Sequence, residues 1–325
     1  MRIARWQHAT GIGEGFVIDD TVAPFGDGLT VAEVLAGGLE AARLLHERVT
    51  DAATPLADVT LLAPLAPTSI RDFVAFEEHV EGVSAGVEGT SNVADEWYEY
   101  PTFYFTNPHT VLAPSEAVSP PVCERLDFEL EVAAVVGGIA AGGGVNLTPD
   151  EAASHIFGYT IMNDWSARDL QAREMMVRLG PAKGKDFGTT LGPWIVTADE
   201  LAPFLDDGGF LALRTEVRVN GDLVGEDLLS NMGWPFGELV AYASRNSRVV
   251  SGDVLGSGTV GNGGCLGELW GRNGALTPPP LRTGDEVAMS VEGIGDLVAT
   301  VGPAVPAPAI PPARNRPRLR HRRAF

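Results

Sequence analysis

The stretch Leu126-Asp127-Phe128-Glu129-Leu130-Glu131-Val132-Ala133-Ala134-Val135-Val136 decides how this chain is read. Its alternating front and apolar continuation predict one β-strand over 126–136. Side chains alternate across a strand, so Asp127, Glu129 and Glu131 share one face while Phe128, Leu130 and Val132 pack on the other. Three adjacent carboxylates repel one another unless a cation or protons neutralise them. The plain alternative is an edge strand with a solvated acidic face, and spacing alone does not choose between the two. An all-oxygen ligand set of this kind suits Mg²⁺, Mn²⁺ or Ca²⁺ rather than zinc or copper.

Working outward, short β-like runs at 102–105, 194–197, 211–219, 253–255 and 286–291 are broken by glycine and proline, and Asn220-Gly221-Asp222 reads as a hairpin turn. Helical spacing is sparser, at 70–81, 149–155, 166–178 and 237–244. Runs of strands with scattered short helices predict an α+β class with a large, mainly antiparallel roll or sandwich. Ahead of this, strands at 2–6 and 15–19 and a helix at 30–48 read as a small N-terminal α/β lobe over 1–58, leaving 59–302 as the main domain. The Pro- and Arg-rich end, 303–325, has no core to bury and is expected to be disordered.

Composition narrows the function classes. The formal charge is −20, and six arginines (Arg314, Arg316, Arg318, Arg320, Arg322, Arg323) crowd the tail; the 23 basic residues less those six leave 17 against 43 acids, or −26. Such a body disfavours nucleic acid and anionic membranes. No apolar run approaches the roughly 20 residues of a membrane span, and the N-terminus lacks a secretory apolar core, so the expectation is a cytoplasmic protein. Two cysteines, Cys123 and Cys265, make no disulfide framework and read as small, semi-buried residues.

Two further stretches carry chemistry. In Asn163-Asp164-Trp165-Ser166-Ala167-Arg168-Asp169-Leu170-Gln171 an apolar strand runs into a helix start, so Asp164 reads first as an N-cap. Arg168 and Gln171, three apart, point the same way from that helix, which capping does not explain. In Lys183-Gly184-Lys185-Asp186-Phe187-Gly188 lie both lysines of a chain otherwise built with arginine. A compact ammonium with rotatable donors suits an enolate or carboxylate oxygen better than a planar guanidinium fork.

Together with Gly252-Asp253-Val254-Leu255-Gly256-Ser257-Gly258-Thr259-Val260, these ordered motifs resemble the fumarylacetoacetate hydrolase superfamily from about residue 70 to 291. The resemblance implies that family's fold, a typical homodimer, and Glu129, Glu131 and Asp164 as ligands of Mg²⁺ or Mn²⁺, with Asp127 a neighbour. Arg71-Asp72-Phe73-Val74-Ala75-Phe76-Glu77-Glu78-His79 is similar to the fumarylacetoacetase branch, which makes Asp72 a fourth ligand and His79 the general base. Read without the family, Asp72 and His79 are two helical turns apart, and His79 is a surface histidine of an acidic helix.

By the same resemblance Glu268, in Gly267-Glu268-Leu269-Trp270, orients His79, while Arg168, Gln171, Lys185 and Thr259 hold substrate or stabilise an oxyanion. Acylpyruvase-type relatives carry His-x-x-Glu on a lid, whereas here Gly82 stands three after His79. Where fumarylacetoacetase has a substrate tyrosine this chain has Met175. The implied activity is metal-dependent hydrolytic C–C cleavage of a β-diketo acid, with a small keto acid as the partner. Decarboxylation, isomerisation or hydration of a 2-keto acid on the same fold is the alternative, and a catalytically silent binding protein is the reading from another class.

Overall fold

The computed structural model describes residues 1–9, 11–49, 54–88 and 93–314; of the end expected to be disordered, 303–325, residues 315–325 lie outside them, while Val305 forms a bridge with Pro121. The elements that build the site are β1 (Arg2–His8), β2 (Gly11–Ile18), α1 (Val31–His46), β3 (Ile70–Phe73), α2 (Glu77–Glu88), β4 (Phe103–Thr106), β5 (Leu130–Val136), β6 (Ile156–Asp164), α3 (Arg168–Met175), β7 (Thr189–Thr197), β8 (Val254–Gly256) and α4 (Leu266–Asn273).

The class is α+β, as the broken strand pattern predicts. One 12-stranded sheet carries the order β2-β1-β7-β6-β5-β8-β3-β4, extended beyond β2 by Thr21–Pro24 and Thr54–Pro55. Nearly all its pairings are antiparallel; β8 with β3 is parallel. A separate four-stranded sheet joins Arg214–Val219, Asp222–Leu228, Glu286–Val291 and Gly295–Thr300. Its first hairpin turns at Asn220 and Gly221, both with positive φ (52° and 87°), the conformation a two-residue turn of this type demands.

The main sheet is covered on both faces, which is why β5 reads as a continuous apolar run. Leu130, Val132, Ala134 and Val136 face a core closed by Phe236, Leu239 and the four-stranded sheet, while Ala133 and Val135 face a second core capped by Val31 and Leu35 of α1. Within the N-terminal lobe, the strands of residues 2–24 extend the main sheet, and Ile3, Phe16, Val31 and Leu35 share its second core. Thr30 and Glu33 form a reciprocal capping box that starts α1.

Two local expectations fail. Residues 70–81 are not one helix: Ile70–Phe73 is a fully buried strand paired with β8, and the helix begins at Glu77. Asp72 and His79 therefore do not share a helix face. The strand over 126–136 is also interrupted: Leu126–Asp127 pairs with Ser166–Ala167, and the ladder resumes at Leu130. That break turns Glu129 toward the end of β6, where the Asp164 amide donates to the Glu129 carbonyl at 3.2 Å and the Glu129 amide donates to Asn163 Oδ1 at 3.2 Å.

Candidate active site

Four carboxylates meet where β3, β5 and β6 end. One oxygen from each of Asp72, Glu129, Glu131 and Asp164 lies within 4.8 Å of the others, and all four residues are buried. None faces solvent as an edge strand would. Asp72 arrives from β3, Glu131 from β5, Asp164 from the last position of β6, and Glu129 from the break before β5. Between Asp72 and Glu131 runs Gly256 of β8. A Cβ there would stand 2.6 Å from Glu131 Oε2 and 3.0 Å from Asp72 Oδ1, so only glycine leaves the space between them open.

The neighbours of the cluster are cationic. Lys185 Nζ bridges Glu129 Oε2, at 2.5 Å, and Asp164 Oδ2. Arg168 Nη2 reaches Glu129 Oε1 and Asp127 Oδ2, each at 2.7 Å. Tyr104 donates its hydroxyl to Asp164 Oδ2 at 2.5 Å. Asp127 is spoken for elsewhere: its carboxylate accepts the Leu266 and Gly267 amides, both at 2.8 Å, at the start of α4. It is a neighbour of the cluster and no part of it, as the motif reading has it.

These contacts set the ionisation of the group. Burial, then the charge of Asp164, pushes Asp72 well above the usual carboxylate range; burial and the charge of Asp72 do the same for Glu131, and burial raises Asp164. Glu129 goes the other way, because Lys185 and Arg168 together outweigh its burial. No donor group reaches Asp72 Oδ1, Glu131 Oε1 or Asp164 Oδ1, and the Asp72 and Glu131 carboxyls lie close enough to share a proton. Buried carboxylate oxygens left bare cost stability unless something positive meets them. Lys185 offsets one of the four charges, Arg168, shared with Asp127, offsets part of a second, and a divalent cation would offset two more. The donor set is all oxygen and the glycine leaves room, so the residues fit a hard divalent cation.

His79 lies on α2, buried, and burial pushes it down to about 4, against the pull of Glu129 and helped by Arg168 and Lys185, so its ring is neutral at pH 7. The orienting partner expected for it is not the one observed. Glu268, a turn into α4, accepts the Gly263 amide at 3.1 Å and pairs with Arg272 Nη2 at 2.7 Å. The His79 Nδ1 instead faces Cys265 Sγ at 3.6 Å. Glu268 does lie against α2, since a Cβ on Gly82 would come within 2.3 Å of its Cγ.

Gln171 sits beside Arg168 as the three-residue spacing implies, its Oε1 accepting from Arg168 Nη1 at 3.2 Å. Thr259 is buried in the 257–260 segment that runs along β5, where the Gly258 amide donates to Glu131 Oε2 at 3.1 Å. Lys183 stands apart, exposed and paired with Asp186, and Met175 is half exposed. A cavity of about 370 Å³ lined by Tyr104, Asn107, Ala182 and Lys185 opens beside the cluster. A larger cleft of about 510 Å³ over the four-stranded sheet touches none of these groups.

Sequence reasoning missed Tyr104 and Cys265. Tyr104 had no local signal, since it stands opposite Asp72 only through the pairing of β4 with β3. Cys265 had none beyond its place ahead of α4.

Residues 68–302 match the family model described as fumarylacetoacetate (FAA) hydrolase C-terminal. The chain belongs to the fumarylacetoacetate hydrolase family. It is 31% identical over 309 residues to the fumarylacetoacetase of Arabidopsis thaliana, spanning 78% of this chain and 73% of that protein. It is 28% identical over 253 residues to the oxaloacetate tautomerase YisK of Bacillus subtilis, spanning 76% and 74%. Among solved structures, a fumarylacetoacetate hydrolase from Exiguobacterium antarcticum superimposes with a TM-score of 0.71 at 25% identity, covering 93% of this chain and 99% of that one. The protein is thus an enzyme of a superfamily to which both a fumarylacetoacetase and an oxaloacetate tautomerase show similarity. No helix among the described residues is long and apolar enough to cross a membrane.

Proposed function

We propose that the protein is a divalent-metal-dependent hydrolase that cleaves a C–C bond in a β-diketo acid of the fumarylacetoacetate or acylpyruvate type. The observation that carries this reading is the buried cluster of Asp72, Glu129, Glu131 and Asp164, three of whose oxygens no donor group reaches, with Gly256 alongside and Lys185 bridging two of the four. A bound Mg²⁺ or Mn²⁺ would supply Lewis acidity toward the 1,3-related oxygens of such a substrate, making the enolate a feasible leaving group.

The chain's own groups divide the remaining work. His79, neutral at pH 7, is the base: it takes a proton from water as the water oxygen bonds to the distal carbonyl carbon. Lys185, with the amide of Gln171, stabilises the oxyanion formed there. The C–C bond then breaks, the distal carbon leaves as a carboxylic acid, the electron pair of the broken bond goes to the departing α-carbon as the enolate, and the proton held by His79 passes to that α-carbon. Arg168 holds the Glu129 carboxylate in place from the α3 side.

A second reading, enolate formation without attack of water, is favoured by the tautomerase relative. One experiment separates them: the full chain is stripped with chelator, reloaded with Mg²⁺ or Mn²⁺, and offered fumarylacetoacetate, an acylpyruvate and oxaloacetate in ¹⁸O-water. Hydrolysis places one ¹⁸O in a carboxylate product and requires the cation. Turnover without that label supports the tautomerase reading, and full activity in chelator overturns both.

A further inference from the structure

Cys265 is the partner of the base. Its sulfur lies 3.6 Å from His79 Nδ1, and both residues are buried. The same sulfur accepts the Glu268 amide at 3.3 Å, which makes Cys265 the N-cap of α4. It is not a loose side chain that happens to reach the ring. The next two amides of α4 are fixed on Asp127, and Asp127 is fixed by Arg168, so the helix start is pinned to the floor of the site. On the opposite side α2 is held close to α4 by Gly82, one turn beyond His79, where any side chain would strike Glu268. Backbone on both sides therefore sets the distance between sulfur and ring.

We propose that Cys265 is a positioning residue for His79: its sulfur accepts the Nδ1–H and holds the ring in the tautomer whose Nε2 is free to take a proton. The proposal rests on the reading of His79 as the base. Thiol sulfur has lone pairs for two weak hydrogen bonds, one to the Glu268 amide that the cap requires and one to the ring. A neutral acceptor fixes orientation and tautomer, the task a carboxylate performs in other histidine bases. Unlike a carboxylate it adds no negative charge beside a site that already gathers four.

The test uses the ¹⁵N-labelled full chain at neutral pH, with long-range ¹H–¹⁵N imidazole spectra, the His79 signal being the one lost in His79→Gln. The expected result is a His79 ring protonated at Nδ1 in the native chain and in Cys265→Ser. In Cys265→Ala the ring should shift toward the Nε2–H form. Alongside, Cys265→Ala should lower kcat on fumarylacetoacetate with Mg²⁺ about tenfold, the low end for removal of a supporting hydrogen bond, with KM little changed and Cys265→Ser restoring most of it. A native His79 protonated at Nε2, or an unchanged ring in folded Cys265→Ala, overturns the proposal. If Cys265→Ala fails to fold, the native and Cys265→Ser spectra still decide. Undiminished turnover by His79→Gln with an Nδ1–H ring in the native chain would instead remove the base reading and leave the contact standing.

Discussion

Replacing Glu131 by glutamine tests the carboxylate cluster without dismantling it. Glu131 is fully buried; its Oε2 accepts the Gly258 amide at 3.1 Å and no donor group reaches its Oε1. Burial first, then the charges of Asp72, Glu129 and Asp164, raise its pKa well above the ordinary value. Glutamine keeps the shape and the acceptor but removes the charge. A raised pKa means that the folded chain disfavours the charged carboxylate, so in chelator at pH 7 the variant should be more stable than the native chain.

Cation reverses the order. At a free concentration 100 times its Kd, a ligand stabilises by about 2.7 kcal/mol. At about 2.1 cal/mol/K per residue, the 325 residues have an unfolding entropy of roughly 0.7 kcal/mol/K, so the native Tm should rise by about 4 °C. Glu131→Gln, lacking one ligand, should rise by about 1 °C or less at the same concentration. The sign with pH follows from the raised values of Asp72, Glu131 and Asp164: the chelated chain has their full contribution below about pH 4 and loses it as pH rises through the folded-state values. Thermal melts in chelator and in Mn²⁺, across pH, read all of this. A variant destabilised by several kcal/mol in chelator, or one with the full native response to cation, would refute the reasoning.

His79→Ala should lower kcat by about 10²-fold or more while keeping the cation-induced rise in Tm; loss of that rise would put His79 in the cation site itself. Gly82→Ala would ordinarily gain about 0.5–1 kcal/mol in a helix, but its Cβ would lie 2.3 Å from Glu268 Cγ. The clash should win, at about 1–3 kcal/mol in urea unfolding, and a more stable variant would mean that α2 and α4 are not so close. Glu268, raised to about 7 chiefly by burial, gives a stability contribution that is whole below about pH 4 and lost as pH rises through 7. Glu268→Gln should flatten the dependence of Tm on pH between about 5 and 8 by one proton, and an unchanged slope counts against that ionisation.

What was legible in the sequence follows the range of the forces involved. The even and odd faces of 126–136 could be read because alternation is local, and the two cores do divide Leu130, Val132, Ala134 and Val136 from Ala133 and Val135. The hairpin at Asn220-Gly221 was legible for the same reason. Residues 70–73 were misread as helix because their strand is made by a partner about 180 residues away: Ile70 pairs with Val254 and Asp72 with Gly256. Nothing within four residues announces that pairing. The break at 128–129 is likewise imposed from outside, by Asn163 and the start of α3. In the site, Glu129, Glu131, Asp164 and Asp72 were found through motifs, since their spacing alone allowed a solvated strand face and a helix cap. Tyr104 and Cys265 touch partners 60 and 186 positions away, beyond the reach of any local pattern.

The acidity of the chain then takes on a different meaning. A body at −26 without its tail would repel the anionic keto acid of the proposed function, yet its exposed charges are screened within about 10 Å at ordinary salt. The buried charges are not screened in this way, and among them the balance is close: four clustered carboxylates stand against Lys185, Arg168 and the two charges of the cation they fit. Asp127 shares the single charge of Arg168 with Glu129, which leaves one negative charge in excess, and two amides at the positive end of α4 meet the Asp127 carboxylate. Lys185 is the group best placed to change partners. Its ammonium bridges Glu129 and Asp164 and also lines the cavity beside Tyr104, so a substrate oxyanion entering there meets a cation already held at the cluster. A guanidinium fork in its place would be committed to one carboxylate face, whereas an ammonium can turn a third donor to the newcomer without leaving the other two. The one place where an arginine-rich chain turns to lysine and buries it is thus the place where the proposed function requires a charge to be shared between protein and substrate.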